Sequence, residues 1–588
     1  MPTVLPDHDH AIALLLQVPW FAGLPEPARA LLLEGCEWLS LPGGEVLFHE
    51  GDATDAAYLV LSGSLGAFRR TASGSERIGL VVMGESVGEL GVLIQRPRAA
   101  TVRALRDSEV LRLPAAHLEA LGAQYPVALV GLARLALRRA SAPRDERYQQ
   151  ATPRTFALLP QCPGVDGIGF AQVLARSLAA YGSVRILGPS DHQLSSAQCL
   201  AIETEAHFVL YVADGVDGEW RGRCRRQADA WLLLADARAE ADPQWELAQV
   251  LPPESLPPPQ HLILLHSGSL LLGAGRRWQR RSPSCGLHHV RHDADIARVA
   301  RLLSGQSLGL VLSGGGARGF AHIGVIKALL EAGFAIDSVG GTSIGAVIGA
   351  GLAADWSVDE MTENYRRCFY ETNPLSDYTF PFVSLVAGRK ASRLLKETFG
   401  EREIEDLLLP YFCVSANLTR GEVAVHRTGC LWQWLRASIA IPGVLPPVCR
   451  GGEVFVDGGV INNLPVGIMR AQHPGEVIAV DIGGDRAIEA KVDEVNLPPF
   501  WRLLAQAFQP QRRPSLTQIL LRAGMVNAAS AALEARTQSS LLLTPPTDDI
   551  DLLEWKAFYR AIDRGYQHTL RIVGGRKDAL SDALPSLF

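Results

Sequence analysis

The chain of 588 residues has no Cys-x-x-Cys pair, and its nine cysteines are scattered and odd in number. That excludes a disulfide framework and the usual thiolate zinc sites, and it leaves free thiols in a reducing compartment as the simplest reading. No apolar run approaches the ~20 residues needed to span a bilayer; the most apolar stretch, Ala346 to Ala354, stops at Asp355. The start carries Asp7, His8, Asp9 and His10 in place of a basic leader, and Ala11–Leu16 is too short for a signal core, so no export signal is expected. The net charge of -6 is spread without long blocks of one sign, which argues against a dedicated nucleic-acid binder. There is no Gly-x-x-x-x-Gly-Lys-Ser/Thr loop. His288, His289 and His292 stand without carboxylate or cysteine partners in a ligand spacing, so a structural role is expected and no metal site. Together these absences point to a cytoplasmic enzyme or binding protein.

The length suggests several domains, and with 47% hydrophobic and 20% charged residues the composition is that of a globular protein. Residues 14–140 read as short strands closed by glycine turns, as in a small β-roll, followed by a helix. Residues 141–154 are polar and proline-punctuated and fit a linker. In 155–285, runs such as Phe156–Leu159, Phe208–Val212 and Trp231–Leu234 are apolar without alternation, which predicts strands buried on both faces of a parallel α/β sheet; no function is legible there. Residues 286–485 open with the buried strand Leu308–Leu312 and continue as α/β. Residues 486–588 read as a mainly helical extension, with Trp555, Phe558, Tyr559 and Ile562 at helical spacing. Arg276–Arg281, with Trp278 inside it, and Pro498–Leu504 have the composition of lipid-surface segments, although a solvated loop and a packing helix account for them more simply.

Three segments carry chemistry. Gly341-Thr342-Ser343-Ile344-Gly345 lies between an apolar strand and a glycine- and alanine-rich helix. That is the context of a nucleophile elbow, with the serine at a helix N-terminus; a tight turn for close packing explains the glycines but not the serine. Ser313-Gly314-Gly315-Gly316-Ala317-Arg318-Gly319 again follows a strand. It matches a dinucleotide fingerprint, yet Asp337 precedes rather than follows the next strand, whereas an oxyanion hole formed by glycine N–H groups and reinforced by Arg318 fits equally. Val454-Phe455-Val456-Asp457-Gly458-Gly459 ends a β run in an acid. Alone it is a turn; beside a serine nucleophile it supplies a base. Only His473 and His568 follow Asp457, and neither sits in a recognisable active-site loop, so a carboxylate acting directly on the serine is the economical arrangement.

In that order, the three motifs resemble the patatin-like phospholipases. Leu409–Phe412, Leu435–Ser438, Leu445–Pro447 and Asn462–Pro465 are similar to the neuropathy target esterase subfamily. The resemblance implies a patatin-type α/β/α hydrolase core using a Ser–Asp dyad: Ser343 as nucleophile, Asp457 as base, and Gly314, Gly315, Gly316 and Arg318 around the oxyanion. It implies a phospholipid or lysophospholipid substrate, transient contact with a membrane surface, and no required cofactor.

Val87–Leu93 followed by Arg96–Val102 resembles the phosphate-binding cassette of cyclic nucleotide-binding domains. This implies cAMP or cGMP as an allosteric ligand at Gly88, Glu89, Leu90, Arg98 and Ala99, with Arg98 on the phosphate and Glu89 on the ribose. Gly91 stands where many members have alanine, and it is expected to loosen the short helix. Two rivals remain open on the sequence: a nucleotide-binding regulatory or scaffold protein with a silent hydrolase core, and a dinucleotide-dependent oxidoreductase resting on the glycine loop.

Overall fold

The computed structural model describes residues 15, 16, 18–71, 74–141, 153–194, 196–213, 218–240, 258–280, 286–380, 382–473, 475–483, 499 and 536–574. The polar stretch expected as a linker, most of the segment Pro498–Leu504 and much of the C-terminal extension therefore lie outside the described residues. The chain divides into two compact units, one ending at Leu265 and the other made essentially of residues 266–588. No helix among the described residues is long and apolar enough to cross a membrane.

The first unit opens with an antiparallel β-roll. Its strands are β1 (Glu37–Leu41), β2 (Val46–Phe48), β3 (Ala56–Ser62), β4 (Ser64–Thr71), β5 (Gly74–Val82), β6 (Ser86–Val87), β7 (Thr101–Ala104) and β8 (Ser108–Pro114). They form two sheets, in the orders β1-β8-β3-β6 and β2-β7-β4-β5. Strand β3 is buried along its whole length because it lies between the two apolar clusters of the roll. A short helix, α1 (Glu89–Ile94), follows β6.

The middle domain contributes β9 (Thr155–Pro160), β10 (Val184–Leu187), β11 (Phe208–Val212), β12 (Ala230–Asp236) and β13 (Gln260–Leu265). These are parallel throughout, in the order β10-β11-β9-β12-β13. Helix α2 (Gly167–Leu178) follows β9. The unbroken apolar runs are explained by this all-parallel pairing, since helices cover both faces of such sheets. In the turn between β7 and β8, Arg106 is buried and reaches from the roll into this domain. It donates to Thr155 Oγ1 at 2.6 Å and to Asp229 Oδ1 at 2.7 Å, and it also pairs with Glu203.

Strand β14 (Gly286–Val290) leads into the second unit. Its sheet uses β15 (Leu308–Leu312), β16 (Ser338–Thr342), β17 (Tyr411–Asn417), β18 (Glu422–His426), β19 (Val448–Arg450), β20 (Glu453–Asp457), β21 (Glu476–Val480) and β22 (Leu541–Leu543). The path is β19-β20-β17-β16-β15-β21-β22, with β18 also paired to β17. The register of β17 fixes the site. Residues 413–417 pair with β18 on one edge, so the remaining edge is shared in succession: by β16, which ends with Thr342 opposite Val414, and by β20, which ends with Asp457 opposite Ser415. Strand β16 is parallel and β20 antiparallel to β17, so their C-terminal ends meet head to head.

Helices α3 (Ala321–Glu331) and α4 (Ile344–Ala353) follow β15 and β16. Further along lie α5 (Arg389–Phe399), α6 (Leu431–Ser438) and α7 (Phe558–Gly574). After residues outside the described set, the chain returns as edge strand β22, parallel to β21, so the extension supplies a strand as well as a helix. Helix α7 lies on α3 so closely that a methyl group at Gly324 would strike the Ile562 backbone and one at Gly565 the Ala321 backbone. Phe558, Trp555 and Phe369 surround Phe320.

Candidate active site

Ser343 leaves the end of β16 with φ 54° and ψ -127°, a left-handed conformation that costs a non-glycine residue about 1–3 kcal/mol and persists only where its surroundings impose it. The surroundings are visible. A side chain at Gly345 would collide with the carbonyls of Leu312 and Ser313, so α4 starts in backbone contact with β15 and forces the turn. Gly458, just past Asp457, fills the gap where β16 gives way to β20; its Cβ would stand 2.6 Å from the Val414 oxygen. Both glycines are there for close approach, and their effect is to bring the serine and the aspartate together.

The Ser343 hydroxyl donates to Asp457 Oδ2 at 2.6 Å, and Asp457 Oδ1 accepts the Gly459 N–H at 2.8 Å. Burial pushes the Asp457 carboxyl up to about 6, in spite of these two donors. The carboxylate is thus ionised at neutral pH yet more basic than an exposed one, and it faces a hydroxyl at the positive end of a buried helix.

The glycine loop follows β15 and lies against the serine: a Cβ on Gly314 would be 2.9 Å from Ser343 Cβ. The Gly314 N–H is directed to the Asn463 carbonyl at 3.4 Å. Among the described residues, no bond to the N–H of Gly315 or Gly316 is present. Arg318 is buried, and its Nε donates to the Ile550 carbonyl at 2.7 Å, so its side chain fixes the segment before α7.

Two residues with no role assigned from sequence complete the shell. Ser438, at the end of α6, accepts the Ser343 N–H at 2.9 Å and donates to the Val414 carbonyl at 2.7 Å. Asn463 Nδ2 donates to the Gly314 carbonyl at 3.3 Å. Nothing in a lone serine or in an Asn-Asn pair signals such contacts in advance.

The two histidines that follow Asp457 are occupied elsewhere. His473 is bonded to Ser307 Oγ at 3.1 Å and Ser338 Oγ at 3.0 Å, at the opposite ends of β15 and β16 from the dyad. His568 Nε2 accepts the Thr544 N–H at 3.2 Å. His322, under the glycine loop, donates from Nε2 to the Ser313 carbonyl at 2.9 Å, and burial pulls its pKa down to about 4. His289 Nε2 donates to the Glu405 carbonyl at 2.8 Å, which leaves Nδ1 to accept the Nε2 proton of His266 at 2.8 Å. That relay fixes both tautomers and uses the ring nitrogens a metal would need. Among the described residues no cluster of three metal-ligating side chains occurs.

In the β-roll, Gly88, Glu89 and Arg98 come together. Arg98 is buried under Phe48, 4.1 Å from the ring centroid, and donates to Ala56 O at 2.8 Å, Asp55 Oδ1 at 3.2 Å and Gly88 O at 3.3 Å. Glu89 is 1% exposed, whereas Leu90 and Ala99 face solvent. Gly91 makes room for Thr54, whose hydroxyl would lie 2.6 Å from a Cβ there and bonds the Arg96 carbonyl at 2.7 Å. The glycine therefore ties the cassette to its neighbour.

Family models match all three parts of the chain: a cyclic nucleotide-binding domain over residues 38–125, a neuropathy target esterase family P-loop like domain over 152–307, and a patatin-like phospholipase over 310–470. In the middle domain the turn entering α2 has no lysine, and Asp166 Oδ1 accepts the Gly169 N–H at 2.7 Å, so a carboxylate stands at the helix start where a P-loop would receive phosphate. Human patatin-like phospholipase domain-containing protein 6 is 32% identical over 92% of this chain, and a protein of Neosartorya fischeri named as a lysophospholipase is 30% identical over 90%. The chain spans less than half of each, 44% and 41%. An uncharacterised NTE family protein of Mycobacterium bovis is 33% identical over 94% of both chains. With that match over 94% of both chains and a patatin-like domain behind a cyclic nucleotide-binding domain, the chain belongs to the neuropathy target esterase family.

Proposed function

We propose that the second unit hydrolyses carboxylic esters of phospholipids or lysophospholipids with Ser343 as nucleophile and Asp457 as base. The observation that carries the reading is the 2.6 Å bond from the Ser343 hydroxyl to Asp457, made by a serine held at φ 54°. As Ser343 Oγ attacks the ester carbonyl carbon, its proton passes to Asp457 Oδ2, and the carbonyl oxygen becomes an oxyanion beside the N–H groups of Gly315 and Gly316. Collapse breaks the ester C–O bond, and the departing alcohol takes the proton from Asp457. Water then attacks the acyl-serine while giving a proton to Asp457, and the second collapse returns that proton to Ser343 Oγ and frees the fatty acid. Arg318 acts by shaping the loop, through its bond to Ile550.

The N-terminal module is read as a cyclic nucleotide sensor, with Arg98 on the phosphate, Glu89 on the ribose, and Gly88, Leu90 and Ala99 framing the ring. A ligand phosphate must displace Asp55 from Arg98 to bind there.

Labelling with a fluorophosphonate, together with a panel of lysophospholipid, phospholipid and short-chain esters assayed with and without cAMP or cGMP, tests both halves. The hydrolase reading requires labelling and turnover that vanish in Ser343→Ala. A folded, unmodified chain that neither labels nor turns over any ester would leave a regulatory or scaffold protein.

A further inference from the structure

Among the described residues, the four most exposed large apolar side chains are Phe382 at 88%, Tyr378 at 79%, Phe380 at 74% and Val383 at 66%. They fall within six consecutive positions. Apolar residues scattered singly over a surface need no explanation, but a cluster of this density does. It is not a loose loop: Tyr378 and Val386 form an antiparallel bridge, Thr379 N bonds Leu385 O at 3.1 Å, and Ala387 N bonds Asp377 O at 2.8 Å. At the tip the Phe380 and Phe382 rings lie against each other with centroids 4.9 Å apart. The hairpin thus holds its aromatic face out in water.

Its root is bonded to the segment that follows Ser438. Leu385 N and Val386 N bond the carbonyls of Gly443 and Val444 at 2.8 and 3.1 Å, and Val386 is buried with Val444 and Leu445. The same segment begins at Ser438, which holds the Ser343 N–H, and continues through Ala440, whose carbonyl accepts the Asp457 N–H at 2.9 Å. A few residues, each spanning at most about 3.5 Å, therefore join the dyad to the hairpin. Next to it, Arg389 and Lys390 open helix α5; Asp377 Oδ2 accepts the Lys390 N–H at 3.1 Å and the Lys390 ammonium donates to Ser376 Oγ at 2.7 Å, so two cations stand beside one acid at the shoulder of the hairpin.

We infer that Tyr378, Phe380, Phe382 and Val383 are the docking face of a lipid-binding hairpin that enters the headgroup and acyl boundary of an anionic lipid surface close to Ser343 and Asp457. Aromatic rings at the tip and cations at the shoulder match such a boundary, apolar beneath and negatively charged at the surface. The purpose of the docking, delivery of an ester to Ser343, rests on the hydrolase reading; the docking itself does not.

The test uses the full chain carrying Ser343→Ala, floated with vesicles of phosphatidylcholine alone or mixed with phosphatidylglycerol. Moving one phenyl ring from water into an apolar phase is worth about tenfold in partition, so adding Phe380→Ser and Phe382→Ser is expected to weaken binding about a hundredfold. With Ser343 intact, the same two substitutions are expected to leave hydrolysis of a short water-soluble ester within about twofold, because neither ring is part of the core. Unchanged vesicle partition, or a parent chain that stays off both vesicle types, overturns the inference. So does a parent dimer that falls apart on the two substitutions without binding vesicles, since the hairpin would then be an interface between copies. Phenylalanine-dependent flotation, beside a folded chain with Ser343 intact that cleaves no ester, would instead sustain the inference and sink the hydrolase reading.

Discussion

The side chain of Ser438 is hydrogen-bonded to the backbone of Ser343: its Oγ accepts the Ser343 N–H at 2.9 Å and donates its own hydrogen to the Val414 carbonyl at 2.7 Å. Ser438→Ala leaves a buried N–H with no acceptor, a loss of about 1–3 kcal/mol, at a residue whose backbone is strained, with φ 54°. The expected outcome is a lower melting temperature and a kcat reduced about tenfold, with KM for a soluble ester little changed. Unchanged kcat and melting temperature would mean that the bond does not hold the elbow.

A dyad and a triad respond differently to substitution. Ser343→Ala and Asp457→Asn are each expected to reduce kcat by about a thousandfold or more. His568→Ala is expected to keep most activity, and His473→Ala to lose some stability through its two serine bonds while turning over normally. A histidine variant as inactive as Ser343→Ala, beside an active Asp457→Asn, would call for a different base.

Acid and alkaline arms of the same aspartate give opposite results for rate and stability. Since Asp457 titrates near 6 and must be ionised to accept a proton, kcat/KM is expected to rise with pH through an inflection at about 6. Folding, by contrast, favours the protonated form: the folded value lies above the ordinary 3.8, so this group's contribution to stability is fully present below pH ~3.8 and is lost as pH rises through ~6. The loss reaches about 3 kcal/mol at neutral pH. Asp457→Asn is therefore expected to be dead but more stable by about 1–3 kcal/mol above pH 7, with the gain shrinking toward pH 4 in urea titrations.

In the N-terminal module, Arg98→Ala is expected to weaken cAMP or cGMP binding to the full chain by about ten- to a hundredfold, as loss of charge-assisted bonds does. Asp55→Asn is expected to strengthen it severalfold by removing the internal competitor. Calorimetry on both variants decides; tighter binding after Arg98→Ala, or weaker after Asp55→Asn, would place the phosphate elsewhere.

Gly565→Ala tests the seat of α7. The added methyl meets the Ala321 backbone, which cannot move as a side chain can, so a loss of about 1–3 kcal/mol is expected. Thermal unfolding at unchanged mean helix content measures it.

The motifs and their order were legible because each lies in one short segment at a strand end, where glycine pattern and apolar flanks speak for themselves. What brings Ser343 to Asp457 was not, because it depends on which edge of β17 each strand takes, and that is set by pairing between segments far apart in sequence. Ser438 and Asn463 escaped for the same reason. The basic and aromatic stretch Arg276–Arg281 has the composition of a lipid segment, but its Trp278 is 5% exposed and its Arg276 pairs with Glu403; where a solvated loop was expected, Ala274–Gln279 is a short helix that buries the ring and leaves Arg276 and Arg277 outward. Tyr378, Phe380, Phe382 and Val383 have the composition of core and stand in water. Composition gives hydrophobicity, whereas exposure depends on the neighbours.

Arg106 changes what counts as a separable part. A cut after Ser141 looks natural in the sequence, but it would leave the roll with a guanidinium shaped for three absent acceptors, and the remainder with Glu203 and Asp229 sunk side by side without a cation. Orphaning one side of such a buried cluster costs about 3–5 kcal/mol. Roll and middle domain are thus one heritable piece: a chimera that swaps the roll between relatives succeeds only if the arginine and both acids travel together.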